Sequence, residues 1–156
     1  MRTVLALAAA ALAAAPSLAT GTTAGIPLGP CSTPGIATPD QAGALAGQIN
    51  AFRASRGLRP LRLTTSLTAV AQRRSLDQVA DHQMSHAMRG NRLVWAPPGR
   101  WAGENLALAP DPPTALSAML NSPTHRALLL SRRWRSMGVG AAATCSGTVY
   151  TVSFLR

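Results

Sequence analysis

The chain contains no lysine and only one glutamate, Glu104. All fifteen of its basic side chains are arginine. Five acids oppose them, which leaves a net charge of +10. There is no second long apolar run after the first twenty residues, so no later segment has the roughly twenty apolar residues that a transmembrane helix needs. Only two cysteines are present, too few for a disulfide-dense scaffold or a cysteine-rich metal site. No His-Glu-x-x-His motif and no internal repeat occur. No serine or cysteine stands out as a nucleophile with a matching base. Specific nucleic-acid binding is the reflex reading of an arginine-rich chain, but the N-terminus argues against it.

That N-terminus has Arg2, then the unbroken apolar run Val4 to Ala15, then Pro16 and Ser17-Leu18-Ala19. This is the layout of a secretory signal peptide, cut after Ala19. Residues 1–19 are therefore expected to be removed, and the mature protein to be secreted, periplasmic or extracellular. Residues 20–39 are rich in Gly, Pro, Thr and Ser and are expected to form a flexible arm. Residues 40–156 are expected to form one domain with one core. A solvated basic surface is then the default reading, with anionic lipids and cell-wall polymers nearer partners than nucleic acid. In an exported chain two cysteines favour a Cys31–Cys145 disulfide over free thiols or a metal pair. Closing a loop on the order of a hundred residues gives about 4–5 kcal/mol in the chain-entropy account.

Periodicity sets the element order. Asp40 is expected to cap a helix carrying Ala42, Leu45, Ala46, Ile49 and Phe52, stopped by Gly57. Thr64 or Thr65 caps a second helix that runs to Ser85-His86, with His82 at an exposed helical position. Residues 87–103 read as irregular, and Leu106 to Leu108 as a short strand. Asp111 opens a third helix. Ser122-Pro123 starts a fourth, with proline at the first helical position. Trp134 to Ala142 and Thr148 to Leu155 read as two strands around a turn at Cys145-Ser146-Gly147, with Tyr150, Val152 and Phe154 on one face. The fold class is α+β, a sheet covered by helices.

Few polar residues carry chemistry. His86 ends the second helix, and His125 sits in the first turn of another, where the helix dipole disfavours imidazolium. A neutral imidazole is what a metal ligand or a general base must be. Glu104 lies between them in the sequence. Two histidines and a carboxylate are the right donors for one divalent ion. The spacing alone is a weak signal, because each histidine and the glutamate also have ordinary structural readings.

Five stretches in order resemble the bacterial branch of the CAP superfamily, which comprises the cysteine-rich secretory proteins, antigen 5 and the pathogenesis-related proteins (the SCP domain). They are INAFRASRGLRPLRL, SLTAVAQRRSLDQVADHQMSH, GENLAL, MLNSPTHRALLL, and the pair WRSMGVGAAA and VYTVSFL. The resemblance implies an α-β-α sandwich of the CAP type with a small, mainly antiparallel sheet. It implies a cleft lined by His86, Glu104 and His125. His86 and His125 would be metal ligands, with Glu104 a possible third, and zinc a possible ion. The family's second acid falls near Ser122 and is missing, and Met119 stands where a tryptophan is common. That departure weakens paired-carboxylate catalysis, and no catalytic residue is assigned. The expected function is a secreted, non-enzymatic binding domain for an envelope or extracellular ligand, a lipid or cell-wall component being one possibility. The alternatives are a metal-assisted hydrolase with Glu104 as base and an arginine-rich module that binds envelope polyanions.

Overall fold

The structure is a computed structural model that describes residues 25–29 and 35–156. The expected signal peptide and Cys31 lie outside the described residues. In chain order the elements are β1 (Ile26–Pro27), β2 (Ile36–Ala37), α1 (Pro39–Ser55), β3 (Arg62–Leu63), α2 (Thr65–Ala80), β4 (Gln83–Met84), β5 (Met88–Arg89), β6 (Arg92–Leu93), β7 (Ala102–Ala109), α3 (Pro112–Asn121), α4 (Pro123–Leu130), β8 (Ser136–Thr144) and β9 (Gly147–Leu155).

The C-terminal hairpin organises the rest. β8 and β9 pair antiparallel along their whole length, and β7 adds antiparallel to β9 from Ala102↔Leu155 to Ala109↔Thr148. On the other edge of β8, β2 pairs antiparallel at Ala142 and Ala143, and β3 pairs parallel at Ser136 and Met137. Between them the Gln72 side chain stands in for a strand. Its Nε2 donates to the Ala141 carbonyl (2.9 Å) and its Oε1 accepts from the Ala141 amide (3.3 Å). Within the stretch expected as an arm, β2 joins this sheet and β1 pairs with β4.

Side chains alternate across the sheet. One face presents Met137, Val139, Tyr150, Val152 and Phe154 to Leu45, Ile49, Ala115, Met119 and Leu129 of α1, α3 and α4. Trp134 stacks on Phe154 at the end of this core. The expected common face of Tyr150, Val152 and Phe154 is this one. On the opposite face lie Gly138, Gly140 and Ala142, with Val149 and Thr151. α2 lies directly against them. A Cβ on Gly138 would stand 2.1 Å from the Leu67 carbonyl carbon, and one on Gly140 would stand 2.3 Å from that of Ala71. The missing side chains let the helix backbone reach the strand. Ser75 Oγ and Gln78 Nε2 of α2 both donate to Thr151 Oγ1 at 3.0 Å, which gives this buried seam a polar link. Helices therefore cover both faces, an α-β-α sandwich.

Several local expectations need correction. Thr38, not Asp40, occupies the N-cap of α1. Pro39 takes the first helical position, and Asp40 lies in the first turn, where its charge meets the positive end of the dipole. α2 stops at Ala80, short of His86. His82 has a left-handed backbone, φ 50°, and this reverses the chain so that Leu28 N–H donates to the His82 carbonyl. His82 is exposed in a turn rather than on a helix. The stretch 87–103 contains the small β5–β6 hairpin around Gly90, whose positive φ makes the turn possible. β7 is longer than the expected Leu106–Leu108. Other signals hold: Thr64 Oγ1 caps α2, Asp111 caps α3, and Ser122 with Pro123 begins α4. Asn50 fastens the turn after α1 by exchanging two hydrogen bonds with the Leu61 backbone.

Candidate functional site

The edge strand β7 gathers the site. Its alternation sends neighbouring side chains to opposite faces. Glu104 turns toward α2 and the loop that carries His86. Asn105 turns toward α4, where its Nδ2 donates to the His125 backbone carbonyl at 3.0 Å. Gly103 is needed beside them, because a Cβ there would stand 2.9 Å from the Trp134 ring. A Gly-Glu-Asn run on one edge strand thus ties both histidine segments to the sheet.

Glu104 is buried, with a side chain of zero exposure. Its Oε1 accepts from His86 Nδ1 at 2.9 Å, and its Oε2 accepts from Trp95 Nε1 at 2.9 Å. Arg74 of α2 lies 3.8 Å from Oε2, close enough for an ion pair but too far for a hydrogen bond. Arg74 Nη2 also donates to the Ser85 carbonyl at 2.7 Å, so one guanidinium balances the buried carboxylate and pins the residue before His86. A buried carboxylate needs such partners to stay ionised.

The hydrogen bond to Glu104 has a consequence for His86. An ionised carboxylate only accepts, so Nδ1 must carry the proton. The other ring nitrogen, Nε2, makes no hydrogen bond among the described residues. The side chain is 37% exposed and lines a groove of about 720 Å³. Met88, Leu93 and Trp101 give this groove apolar surface, and Arg92 and Arg100 give it positive charge. Trp101 is 58% exposed, with the Arg133 guanidinium 4.3 Å from its ring centroid.

His125 is half-buried in the first turn of α4 and does not line the groove. Burial, and secondly the nearby His86, hold its pKa below the ordinary histidine value. Its imidazole is therefore neutral at pH 7. The three expected cleft residues divide accordingly: His86 and Glu104 are in direct contact, and His125 lies near His86 on a separate element. Among the described residues no group of three or more His, Cys, Asp or Glu side chains is placed to hold a metal ion. Each Glu104 oxygen already accepts one hydrogen bond, and the side chain has no exposure. The donor chemistry that remains for an ion is two imidazoles, with Glu104 behind one of them. Ser122, where a second acid was expected, is the α4 N-cap, and Met119 is a fully buried core residue. Trp95 and Arg74 complete the site without any sequence signal, because both reach Glu104 only through the fold.

The sequence matches the family described as "CAP: Cysteine-rich secretory protein family" over residues 47–154. No curated protein sequence matches it. Among solved structures, the chain is similar to an outer surface protein from Borrelia burgdorferi, with a TM-score of 0.69 and 21% identity over 78% of this chain and 96% of that one. At that identity the likeness is one of fold. It is also similar to an extracellular protein containing a SCP domain from Bacillus anthracis, with a TM-score of 0.60 and 26% identity over 76% of this chain and 41% of that one. A cysteine-rich secretory protein from Staphylococcus aureus gives a TM-score of 0.58 and 25% identity over 75% of this chain and 38% of that one. The chain thus spans less than half the length of the last two.

Proposed function

Since the chain belongs to the cysteine-rich secretory protein family, CAP, on the match over residues 47–154, we propose that it is a secreted, non-enzymatic binding domain that takes an envelope ligand in the groove beside His86. The observation that carries this reading is the state of Glu104. Its two oxygens serve His86 and Trp95, so it acts as the anchor of an imidazole rather than as a base waiting for a proton. A general base must reach the group it deprotonates, and the Glu104 side chain has no solvent exposure. The metal-assisted hydrolase reading asks Glu104 for that reach and is the weaker one for this reason.

The groove's chemistry favours a ligand with an apolar body and an anionic end, as a lipid or an acylated cell-wall component has. Met88, Leu93 and Trp101 suit the body, and Arg92 and Arg100 suit the charge. No helix among the described residues is long and apolar enough to cross a membrane. Calorimetric titration of the purified protein with a long-chain carboxylate tests the reading. Saturable binding that Arg92→Ala and Leu93→Asp each weaken supports it. Equal binding by all three proteins contradicts it.

A divalent ion such as zinc is a separate part of the proposal. It would use His86 Nε2 and His125, with waters completing its shell and Glu104 orienting His86 from behind. Zinc binding by the wild type that is lost in the His86→Ala/His125→Ala variant supports this. Equal binding by both proteins rules it out.

A further inference from the structure

A second cavity, of about 300 Å³, is lined by Arg53, Gly57, Leu58, Arg59, Arg132 and Trp134. It shares no lining residue with the groove beside His86. Three of its six lining residues are arginines, and none of the chain's five acids is among them.

Arg53 is the unusual member, because its guanidinium is buried and the residue is only 1% exposed. Its Nη1 donates to the carbonyls of Leu129 (2.6 Å) and Ser131 (3.1 Å), and its Nε donates to the Arg59 carbonyl (3.1 Å). It therefore caps the C-terminus of α4, where the last carbonyls have no helical partner. Carbonyl dipoles solvate a buried cation but do not neutralise it. A guanidinium has five N–H groups, and the Nη2 of Arg53 makes no hydrogen bond among the described residues. Burial first, and the charge of Arg59 second, work against the protonated form of Arg53. Arg59 and Arg132 are exposed. The Trp134 wall is fixed, because its Nε1 donates to the Leu128 carbonyl at 3.0 Å.

We propose that this cavity is an oxyanion site that takes a phosphate or phosphodiester group, with Arg53 Nη2 donating from the floor and Arg59 and Arg132 from the rim. Capping α4 accounts for two of the Arg53 hydrogen bonds, and the Arg59 carbonyl takes the third. These contacts do not account for two further arginines around an acid-free cavity. An oxyanion would supply the missing negative charge and the acceptor atoms together, the pairing to which arginine is best suited.

The test uses the whole purified protein and inorganic phosphate, with ionic strength held constant by sodium chloride. Phosphate is expected to raise the melting temperature of the wild type saturably. Arg59→Ala/Arg132→Ala removes two exposed side chains and leaves the Arg53 cap in place, so it should fold. It is expected to need roughly tenfold more phosphate or more for the same rise. Arg73→Ala/Arg89→Ala, which removes equal charge elsewhere, should respond as the wild type does. A wild-type response no larger than that to chloride overturns the proposal. So does a full response in the first variant, or an equal loss in both variants. A second arm identifies the source of the group. If phosphatidylglycerol vesicles sediment the wild type but not Arg59→Ala/Arg132→Ala, the site takes a lipid headgroup. If they sediment neither while the phosphate response holds, it takes the free ion.

Discussion

Glu104 is the only glutamate in the chain, and its role is set by its two N–H donors and one ion-pair partner. Replacing it with glutamine removes the charge that balances Arg74 and removes one strong acceptor from a buried site. Leaving a buried polar group imperfectly paired costs about 1–3 kcal/mol, so urea denaturation of Glu104→Gln should show a loss in that range. His125 makes a different contribution. Its folded-state pKa lies below the ordinary histidine value, so the unfolded chain binds this proton more readily. The stability it contributes is complete above the unfolded value and falls as pH drops below it. His125→Gln is therefore expected to lose less stability than the wild type between about pH 7 and pH 5. Parallel stability profiles for the two proteins would contradict this.

At the scale of elements, the contact between α2 and β8 rests on two absent side chains. Gly138 and Gly140 let the α2 backbone approach to within what a Cβ would occupy. Gly140→Ala must push the helix away or distort the strand, and overpacking of this kind costs about 1–3 kcal/mol, occasionally more. Denaturant melts of Gly140→Ala against Gly43→Ala, where a Cβ meets open space, separate the packing effect from any general effect of the substitution. The starts of α2 and α3 were legible in the sequence because capping is local: Thr64 and Asp111 act on amides three residues away. The end of α2 was not, since the helical character of residues 81–85 is overridden by the left-handed turn at His82 and the pairing of β4 with β1. The length of β7 was hidden for a related reason. Its small residues show little alternation, and their strand state comes from pairing with β9.

For the whole molecule, the sandwich and the juxtaposition of His86 with Glu104 followed from the ordered resemblance, because the family's motifs fall on elements that the fold brings together. Arg74 and Trp95 were not legible, since each meets Glu104 from a separate element. The expected disulfide also belongs to this scale. Cys145 is exposed in the β8–β9 turn, and Cys31 would join the N-terminal segment to it. The unreduced protein is expected to have an intact mass lower by two hydrogens than the reduced one. Cys145→Ser should lower its stability by up to about 4–5 kcal/mol. Identical masses before and after reduction would exclude the bridge.

The central claim is that Glu104 serves as the anchor of His86, holding one tautomer so that Nε2 faces the groove ligand. Nitrogen-15 NMR of the histidine side chains, recorded at about pH 8 where an ordinary histidine is neutral, tests it most directly. The account predicts that His86 carries its proton on Nδ1 in the wild type and that Glu104→Gln changes the tautomer balance. A wild-type His86 protonated on Nε2, or a tautomer balance unaffected by Glu104→Gln, would contradict it.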